Sequence, residues 1–217
     1  MPQDHTVAHG EGLSSIAETY GFSPDRIWKD PANEALRRAR PDPEVLAAGD
    51  VVVVPDRVAK EVQARTGRRH SFRRVGVPAL FSLKLTSAGG PRAGEPYVLE
   101  VGDRRFEGTT DEHGVIRHYV PPAARSALLT LGTAGERFDI EIGGMDPLSE
   151  LSGVQKRLNN LGFACGEADG ALTAATAAAL RQFQASRGLE ATGTPDAATL
   201  RALARAHDRQ EGQPPAR

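Results

Sequence analysis

The sequence has a single cysteine, few aromatic residues, almost no net charge and no long apolar run. Cys165 is the one cysteine in 217 residues, and aromatic residues make up 5% of the chain. One cysteine excludes an internal disulfide and a cysteine metal cluster. Without about 18 consecutive apolar residues we predict no membrane-spanning helix and no membrane partner. The formal charge of -1 argues against a dedicated nucleic-acid binder.

The first residues, Met1 to His9, are polar and lack the apolar segment of a secretory signal peptide. We therefore expect synthesis in the cytoplasm without a signal peptide, with any delivery to the periplasm or outside requiring a secretion machine. Hydrophobic residues make up 39% of the chain. This modest content favours several small cores over one large core, and hence a multidomain protein.

Residues 4–56 have the pattern of a small βααβ domain. Leu13, Ile16, Ala17 and Tyr20 recur at helical spacing. A strand is predicted before them and a buried β-branched strand after them. The predicted elements are a strand at Thr6–Ala8, a helix from Leu13, a helix from Ser23-Pro24, a helical piece at Ala32–Arg40 and a strand at Val51–Val54.

Residues 57–76 form a predicted basic linker, and residues 77–144 a predicted small antiparallel β-sandwich. Short alternating segments separated by turns are typical of such a sandwich. The predicted strands are 81–85, 97–101, 104–109, 115–120, 127–131 and 137–142.

Residues 146–208 have the pattern of three short helices. Leu151, Val154, Leu158 and Leu161 form a helical stripe, and Gly162 is placed to end that helix. The second helix runs over Thr173–Arg187 and the third opens at Thr194-Pro195-Asp196. Residues 209–217 form a predicted disordered tail. The fold class is multidomain α+β.

The first segment resembles a LysM domain at both of its ends. The resemblance is carried by His5 to Ala17 with Tyr20-Gly21-Phe22, and by Val45 to Pro55. It departs from the family at Gly12, where Thr or Ser is usual, and at Asp30–Pro43, an insertion that contains Asn33. The resemblance implies binding of N-acetylglucosamine chains in a shallow groove between two loops. The implied carbohydrate-binding residues are Gly10, Glu11, Gly12, Leu13, Asn33, Leu46, Ala47, Ala48 and Gly49.

The third segment resembles the helical peptidoglycan-binding domain attached to many wall hydrolases. The matching positions include Val154-Gln155, Leu161-Gly162-Phe163, Asp169-Gly170 and Phe183-Gln184. The family usually has Gly, often followed by Pro, where this chain has Thr173-Ala174. The residues assigned to this second module are Asn160, Asp169, Gly170, Arg181 and Gln184.

The middle segment resembles a transthyretin-like or carboxypeptidase-regulatory-like sandwich through Gly108 to Gly114. The whole layout is similar to unexported wall-binding proteins associated with contractile injection machines, including type VI secretion. The resemblance implies peptidoglycan as one partner and spike or effector proteins of such a machine as others.

Structural interpretations stay open beside these functional ones. Gly10 and Gly49 are equally well explained as turn residues, and Leu13 is better explained as core. Asp169 is better explained as a brace of its loop than as a ligand contact. The histidines have no zincin spacing, Cys165 is better explained as a buried thiol, and no nucleophile or phosphate-loop motif occurs.

We therefore expect a non-catalytic binder of peptidoglycan without metal or cofactor. The alternative is a structural adaptor of an injection machine that binds protein partners. A hydrolase with an unrecognised site in the sandwich is the least favoured hypothesis.

Overall fold

The computed structural model describes residues 1–57, 63, 66–69, 79–87 and 89–208. The chain divides into two compact units, Met1–Gly144 and Met145–Arg217. Most of the predicted basic linker and all of the predicted tail lie outside the described residues. Within the described part of the chain, no helix combines the length and apolarity needed to cross a bilayer.

The first unit begins with two antiparallel strands separated by helices. Strand β1 pairs with β2 so that His5 faces Val52. Val52 and Val54 are buried and Val51 is exposed, so the prediction that the whole β2 run is buried is wrong for its first residue. The elements are β1 Gln3–Thr6, α1 Leu13–Tyr20, α2 Pro24–Trp28, a 3-10 turn Pro31–Asn33, α3 Glu34–Ala39 and β2 Val51–Val54.

Strand β1 lies earlier in the chain than the sequence pattern predicts. Val7 is not part of β1, although it is buried. Its N–H donates to Asp50 O and its C=O accepts from the Gly49 N–H, both at 2.8 Å. These bonds satisfy Val7 in the loop that follows β1, because they join it to the residues just before β2.

Helix α1 provides the centre of this N-terminal core. Leu13, Ile16 and Ala17 are fully buried, as their helical spacing predicts. Gly21 ends the helix with φ of +75°, a conformation that a side chain disfavours.

The described residues from 79 to 141 form antiparallel strands, as predicted. One sheet has the order β10-β9-β6-β7, and a second pairs β3 with β8. Phe81, Leu99, Ile116 and Leu129 come from both sheets and share one apolar core. The strands are β3 Ala79–Lys84, β4 Thr86–Ser87, β5 Gly90–Pro91, β6 Pro96–Val101, β7 Arg104–Thr109, β8 Val115–Val120, β9 Ser126–Leu131 and β10 Glu136–Glu141.

The second unit is helical, as predicted. Its helices are α4 Leu151–Asn160, α5 Ala174–Ser186 and α6 Ala197–Leu203, followed by a π-helical turn at Ala204–Asp208. Val154, Leu158, Leu180, Phe183 and Leu203 pack in its core. The apolar stripe of each helix therefore faces the other two.

A buried arginine joins two parts of the second unit that are far apart in the sequence. Arg157 on α4 is 2% exposed, and its Nε donates to Asp208 Oδ1 at 2.9 Å. Its Nη1 donates to Asp146 O at 2.8 Å. Arg157 therefore ties the segment before α4 and the π-helical turn to the middle of the unit.

Candidate functional site

Two loops of the first unit carry most of the residues that the LysM resemblance implies. We call residues 10–13 and 43–49 the N-terminal loop pair. The Leu13 N–H donates to Pro43 O at 3.0 Å, so the two loops are in direct contact. Leu13, Leu46 and Ala47 are buried in or beside the core, whereas Ala48 and Gly49 are exposed.

Asn33 has a structural environment. It is 1% exposed, and its Nδ2 donates to Val53 O at 2.7 Å and to Ile27 O at 2.9 Å. Its Oδ1 accepts from the Val53 N–H at 2.8 Å. These bonds tie the 3-10 turn to α2 and to β2, and they occupy both polar atoms of the amide.

The Glu44 carboxylate lies across the N-terminal loop pair, which the sequence did not indicate. Oε1 accepts from the Ser14 Oγ at 2.6 Å and from the Ser14 N–H at 3.1 Å. Gly12, the residue before α1, supplies no side-chain cap, so a residue 30 positions away does so. Desolvation, followed in size by the opposing Ser14 hydrogen bonds, leaves the pKa of Glu44 raised.

Gly12 leaves space for this carboxylate. A methyl group on Gly12 would stand 2.5 Å from Glu44 Oε2 and 3.0 Å from Glu44 O. The φ of Gly12 is -119°, so the demand is for space and not for an unusual backbone conformation. The absence of Thr or Ser at this position therefore has a steric explanation.

The first loop of the pair is held from its other side by Glu11. His5 Nε2 lies 2.8 Å from Glu11 Oε2, and His5 Nδ1 lies 3.1 Å from the Tyr20 hydroxyl. Burial alone would raise the pKa of Glu11, but the Ala8 N–H, His5 and the charge of Arg125 lower it. Glu11 is thus engaged with its own domain.

Gly10 packs against the end of the sandwich. A methyl group on Gly143 would come within 2.7 Å of Gly10 O, and one on Gly10 within 3.6 Å of Arg125 Nε. Gly10 and Gly143 have φ of +81° and +79°. The loop that the LysM resemblance implies for glycan binding is therefore partly covered by residues of the same unit.

In the second unit, Gln155 of α4 holds the loop that precedes α5. Its Oε1 accepts from the Gly170 N–H at 2.8 Å. Its Nε2 lies within hydrogen-bond distance of Asp169 Oδ1, Ala171 O and Thr176 Oγ1, at 3.0 to 3.1 Å. Gln155 itself is fully buried. The Ala171 N–H and Gln155 bonds lower the pKa of Asp169, which braces this loop.

Gln184 of α5 holds the loop that precedes α6 in the same way. Its Oε1 accepts from the Gly193 N–H at 2.9 Å. Its Nε2 lies within hydrogen-bond distance of Thr192 Oγ1, Thr194 O and Thr199 Oγ1, at 2.9 to 3.0 Å. Gln184 is fully buried, although the resemblance to the peptidoglycan-binding domain led us to assign it to the binding residues of the second module.

These two arrangements are an internal repeat. In each, a buried glutamine contacts a glycine with positive φ, +79° at Gly170 and +77° at Gly193. In each, it also contacts the Thr at the third position of the next helix, whose N–H bonds to the N-cap side chain of Thr173 or Asp196. We call residues 169–173 and 192–196 the glutamine-held loops. The sequence signal for this repeat is the same order of residue types in both copies: a Gln, then a Gly, then an N-cap residue, then a Thr three positions after the N-cap.

The other predicted residues of this module lie at separate places. Arg181 is exposed on α5, and its side chain covers Gly193, where a methyl group would stand 2.7 Å from Nη1. Asn160 is exposed at the end of α4, and its Nδ2 lies 3.0 Å from His207 Nε2. Arg181 and Gln184 thus flank one glutamine-held loop, Asp169 and Gly170 belong to the other, and Asn160 contacts the π-helical turn.

Two side chains of potentially reactive type, Cys165 and His118, have structural partners. Cys165 is buried, its Sγ contacts Gln155 O at 3.4 Å, and burial raises the pKa of the thiol. His118 is bonded to the Tyr97 hydroxyl at 2.7 Å and stacks on Phe106. Among the residues that the structure describes, no group of three His, Cys, Asp or Glu is arranged to hold a metal ion.

Comparison with known proteins gives a match within the helical unit. Residues 149–203 match the family model described as a putative peptidoglycan binding domain. This match covers α4, α5, α6 and both glutamine-held loops, and it supports peptidoglycan as a partner. No curated protein and no solved structure matches the chain.

Proposed function

We propose that this protein binds peptidoglycan through its helical unit and does not cleave it. The observation that carries the proposal is the family match over residues 149–203. Its geometry supports a binding role, because the two glutamine-held loops are fixed by buried amides. Loops that are ordered before binding lose less conformational entropy when they bind.

Arg181 is the residue that we propose contacts the wall. Peptidoglycan stem peptides carry carboxylates, and an exposed guanidinium pairs with a carboxylate through two parallel hydrogen bonds. Arg181 lies beside the loop that contains Gly193, and the exposed Thr192 and Thr194 hydroxyls of that loop are close in the chain. Together they offer one cation and two neutral polar groups to a peptide stem.

The test is retention of the full chain on purified insoluble peptidoglycan. We expect wild-type protein to be retained and Arg181→Ala to be retained about tenfold less, as expected for the loss of one charged hydrogen-bonded contact. Arg201→Ala is the matched control, because Arg201 is an exposed arginine on α6. Equal retention of both variants would remove Arg181 from the site. A fall in the turbidity of the peptidoglycan suspension would overturn the proposal that the protein does not cleave it.

We further propose that the N-terminal loop pair is a second module for N-acetylglucosamine-containing glycan. The support is the resemblance of both loops to a LysM domain and the exposure of Ala48 and Gly49. A net hydrogen bond contributes roughly 0.5–1.5 kcal/mol, so one shallow site binds weakly. Two modules that reach one polymer gain avidity through their effective concentration.

An adaptor role is the second candidate. The closed state of the N-terminal loop pair favours it, because Glu44 and Gly143 lie against the residues assigned to glycan. In this role the protein binds spike or effector proteins of a contractile injection machine, which would also deliver it to the periplasm or outside. Stable copurification with such proteins, without retention on peptidoglycan, would favour the adaptor over the wall binder.

A further inference from the structure

Glu44 occupies the donors that an incoming ligand of the N-terminal loop pair would need. The acetamide oxygen of an N-acetylated sugar requires an N–H or O–H donor. At the start of α1, the Ser14 N–H and Ser14 Oγ both donate to Glu44 Oε1. Glu44 Oε2 fills the space beside Gly12. The carboxylate of the chain itself therefore takes the position of an acceptor group.

One backbone bond between the loops, and several bonds within the second loop, do not involve this carboxylate. The Leu13 N–H bonds to Pro43 O, and the Glu44 N–H bonds to Asp42 Oδ1 at 2.9 Å. At the far end, Arg40 pairs with Asp50 at 2.8 Å, and Asp50 accepts from the Ala47 N–H at 2.8 Å. Rotation of the Glu44 side chain would leave the backbone of both loops in place.

Glu44 reaches this position from the surface of the protein. The residue as a whole is exposed, so its side chain can turn into water without breaking the apolar core. Desolvation of the carboxylate at its observed position disfavours the charged form. An ionised Glu44 therefore gains hydration when it turns outward, which offsets part of the lost hydrogen bonding.

We infer that Glu44 is an autoinhibitory side chain that holds the N-terminal loop pair closed to N-acetylated glycan. This inference rests on the proposed function of the loop pair and adds its regulation. Glycan binds when Glu44 rotates out and the Ser14 donors become available. The apparent affinity of wild-type protein is reduced by the fraction of molecules in which Glu44 is in place.

The test is calorimetric titration of the full chain with an oligomer of N-acetylglucosamine. We expect Glu44→Ala to bind at least about tenfold more tightly than wild type, because the competing closed state is removed. Glu44→Gln keeps the shape of the side chain and an acceptor oxygen, so it should bind like wild type. Glu112→Ala is the control for loss of a carboxylate, because the Glu112 side chain is 86% exposed.

A second variant covers failure of Glu44→Ala to fold, which circular dichroism would detect. Glu44→Asp shortens the side chain by one methylene, which draws the carboxylate away from Ser14 Oγ and keeps both Ser14 donors for the ligand, so we expect a gain of about threefold. No gain in either variant would overturn the inference. An equal gain in Glu44→Ala and Glu44→Gln would also overturn it, because the effect would then follow charge and not occupancy.

Retention on insoluble peptidoglycan separates this inference from the wall-binding proposal. If wild type is retained but neither variant gains affinity for the oligomer, the inference fails and wall binding through the helical unit stands. If wild type is not retained but Glu44→Ala binds the oligomer more tightly, the wall-binding proposal fails and the inference stands.

Discussion

The N-terminal loop pair and the glutamine-held loops show two ways of fastening a loop to a helix. In the first unit, the charged Glu44 side chain reaches α1 from an exposed position. In the second unit, the neutral side chains of Gln155 and Gln184 reach the loops from inside the core. A buried amide that leaves exposes unpaired groups inside the core, whereas Glu44 would leave the Ser14 N–H and hydroxyl for water or a ligand.

Because of this difference, we expect the glutamine-held loops to be rigid and the N-terminal loop pair to be adjustable. The hydrogen bonds of Gln155 and Gln184 do not depend on protonation of those side chains, because an amide does not titrate. The N-terminal loop pair depends on a carboxylate whose pKa is raised, so its state varies with protonation and with ligand. We therefore expect the largest losses of stability when the loop contacts of the second unit are removed.

Replacing Gln184 should give the largest loss of stability. Gln184→Leu leaves the Gly193 N–H without its partner inside the protein, and it removes the amide bonds to Thr194 O and the Thr199 hydroxyl. We expect the free energy of unfolding to fall by about 3 kcal/mol, because each unsatisfied buried group costs about 1–3 kcal/mol. Chemical denaturation measures this change.

Gln182→Leu is the matched control for that experiment. Gln182 lies two residues away on the same helix and is exposed, so its replacement should change the free energy of unfolding by less than about 0.5 kcal/mol. Similar losses in the two variants would show that Gln184 has no special role.

A methyl group at Gly12 should have the next largest effect. Gly12→Ala places Cβ against Glu44 Oε2 and against the Glu44 backbone, and we expect a loss of about 1–2 kcal/mol from overpacking. Adding Glu44→Ala should recover part of this loss, because one of the two clashes is removed. Strict additivity in the double-mutant cycle would contradict the contact.

Gly49 of the same loop pair provides the opposite case. A methyl group there would meet no atom within 4 Å, but φ is +92°. We expect Gly49→Ala to cost about 1 kcal/mol through backbone strain alone. Because no clash is involved, this cost should be unchanged in the Glu44→Ala background, and thermal denaturation would measure it.

The smallest expected effect is the pH dependence that Glu44 adds. A carboxyl with a raised pKa in the folded state binds its proton more tightly there than in the unfolded chain. The contribution of Glu44 to the stability of the folded state therefore increases as pH falls through the raised pKa. It reaches its limit below the unfolded pKa near 4.5. The difference in unfolding free energy between wild type and Glu44→Gln should shift in favour of wild type over this range.

Asp208 should show the opposite pH dependence in the second unit. Burial alone would raise its pKa, but the hydrogen bonds from His207 and Arg157 lower it. The stability that Asp208 adds is therefore present above its unfolded pKa and is lost as pH falls through the lowered folded pKa. If the difference in unfolding free energy between wild type and Glu44→Gln shifted against wild type as pH falls, as expected for Asp208, the raised pKa of Glu44 would be contradicted.

The helical stripes and strand alternation were predictable because burial repeats with the period of the element. Val154 and Leu158 are in the core of α4 as their spacing predicts, and the strand at 104–109 has the predicted bounds. Strand β1 lies earlier in the chain than predicted. Val7 is buried by bonds to loop residues, and the periodicity of the sequence does not distinguish this from burial in a strand. The predicted domain boundaries and ligand contacts stay predictions.

The residues that shape the two sites were harder to predict, because their hydrogen-bond partners are distant in the sequence. Gln184 is polar, so its type indicated an exposed contact, whereas its bonds to a distant loop allow it to be buried. Glu44 reaches Ser14 across 30 residues, a distance at which local pattern carries no information. Partners of this kind become visible only when the chain is folded.

Cosedimentation of the full chain with purified insoluble peptidoglycan tests the central claim most directly. The account predicts that wild type and Gln182→Leu sediment with the polymer, while Gln184→Leu, whose loop before α6 has lost its support, remains largely in the supernatant. If wild type sedimented no more than an unrelated control protein, binding of the wall by the helical unit would be contradicted.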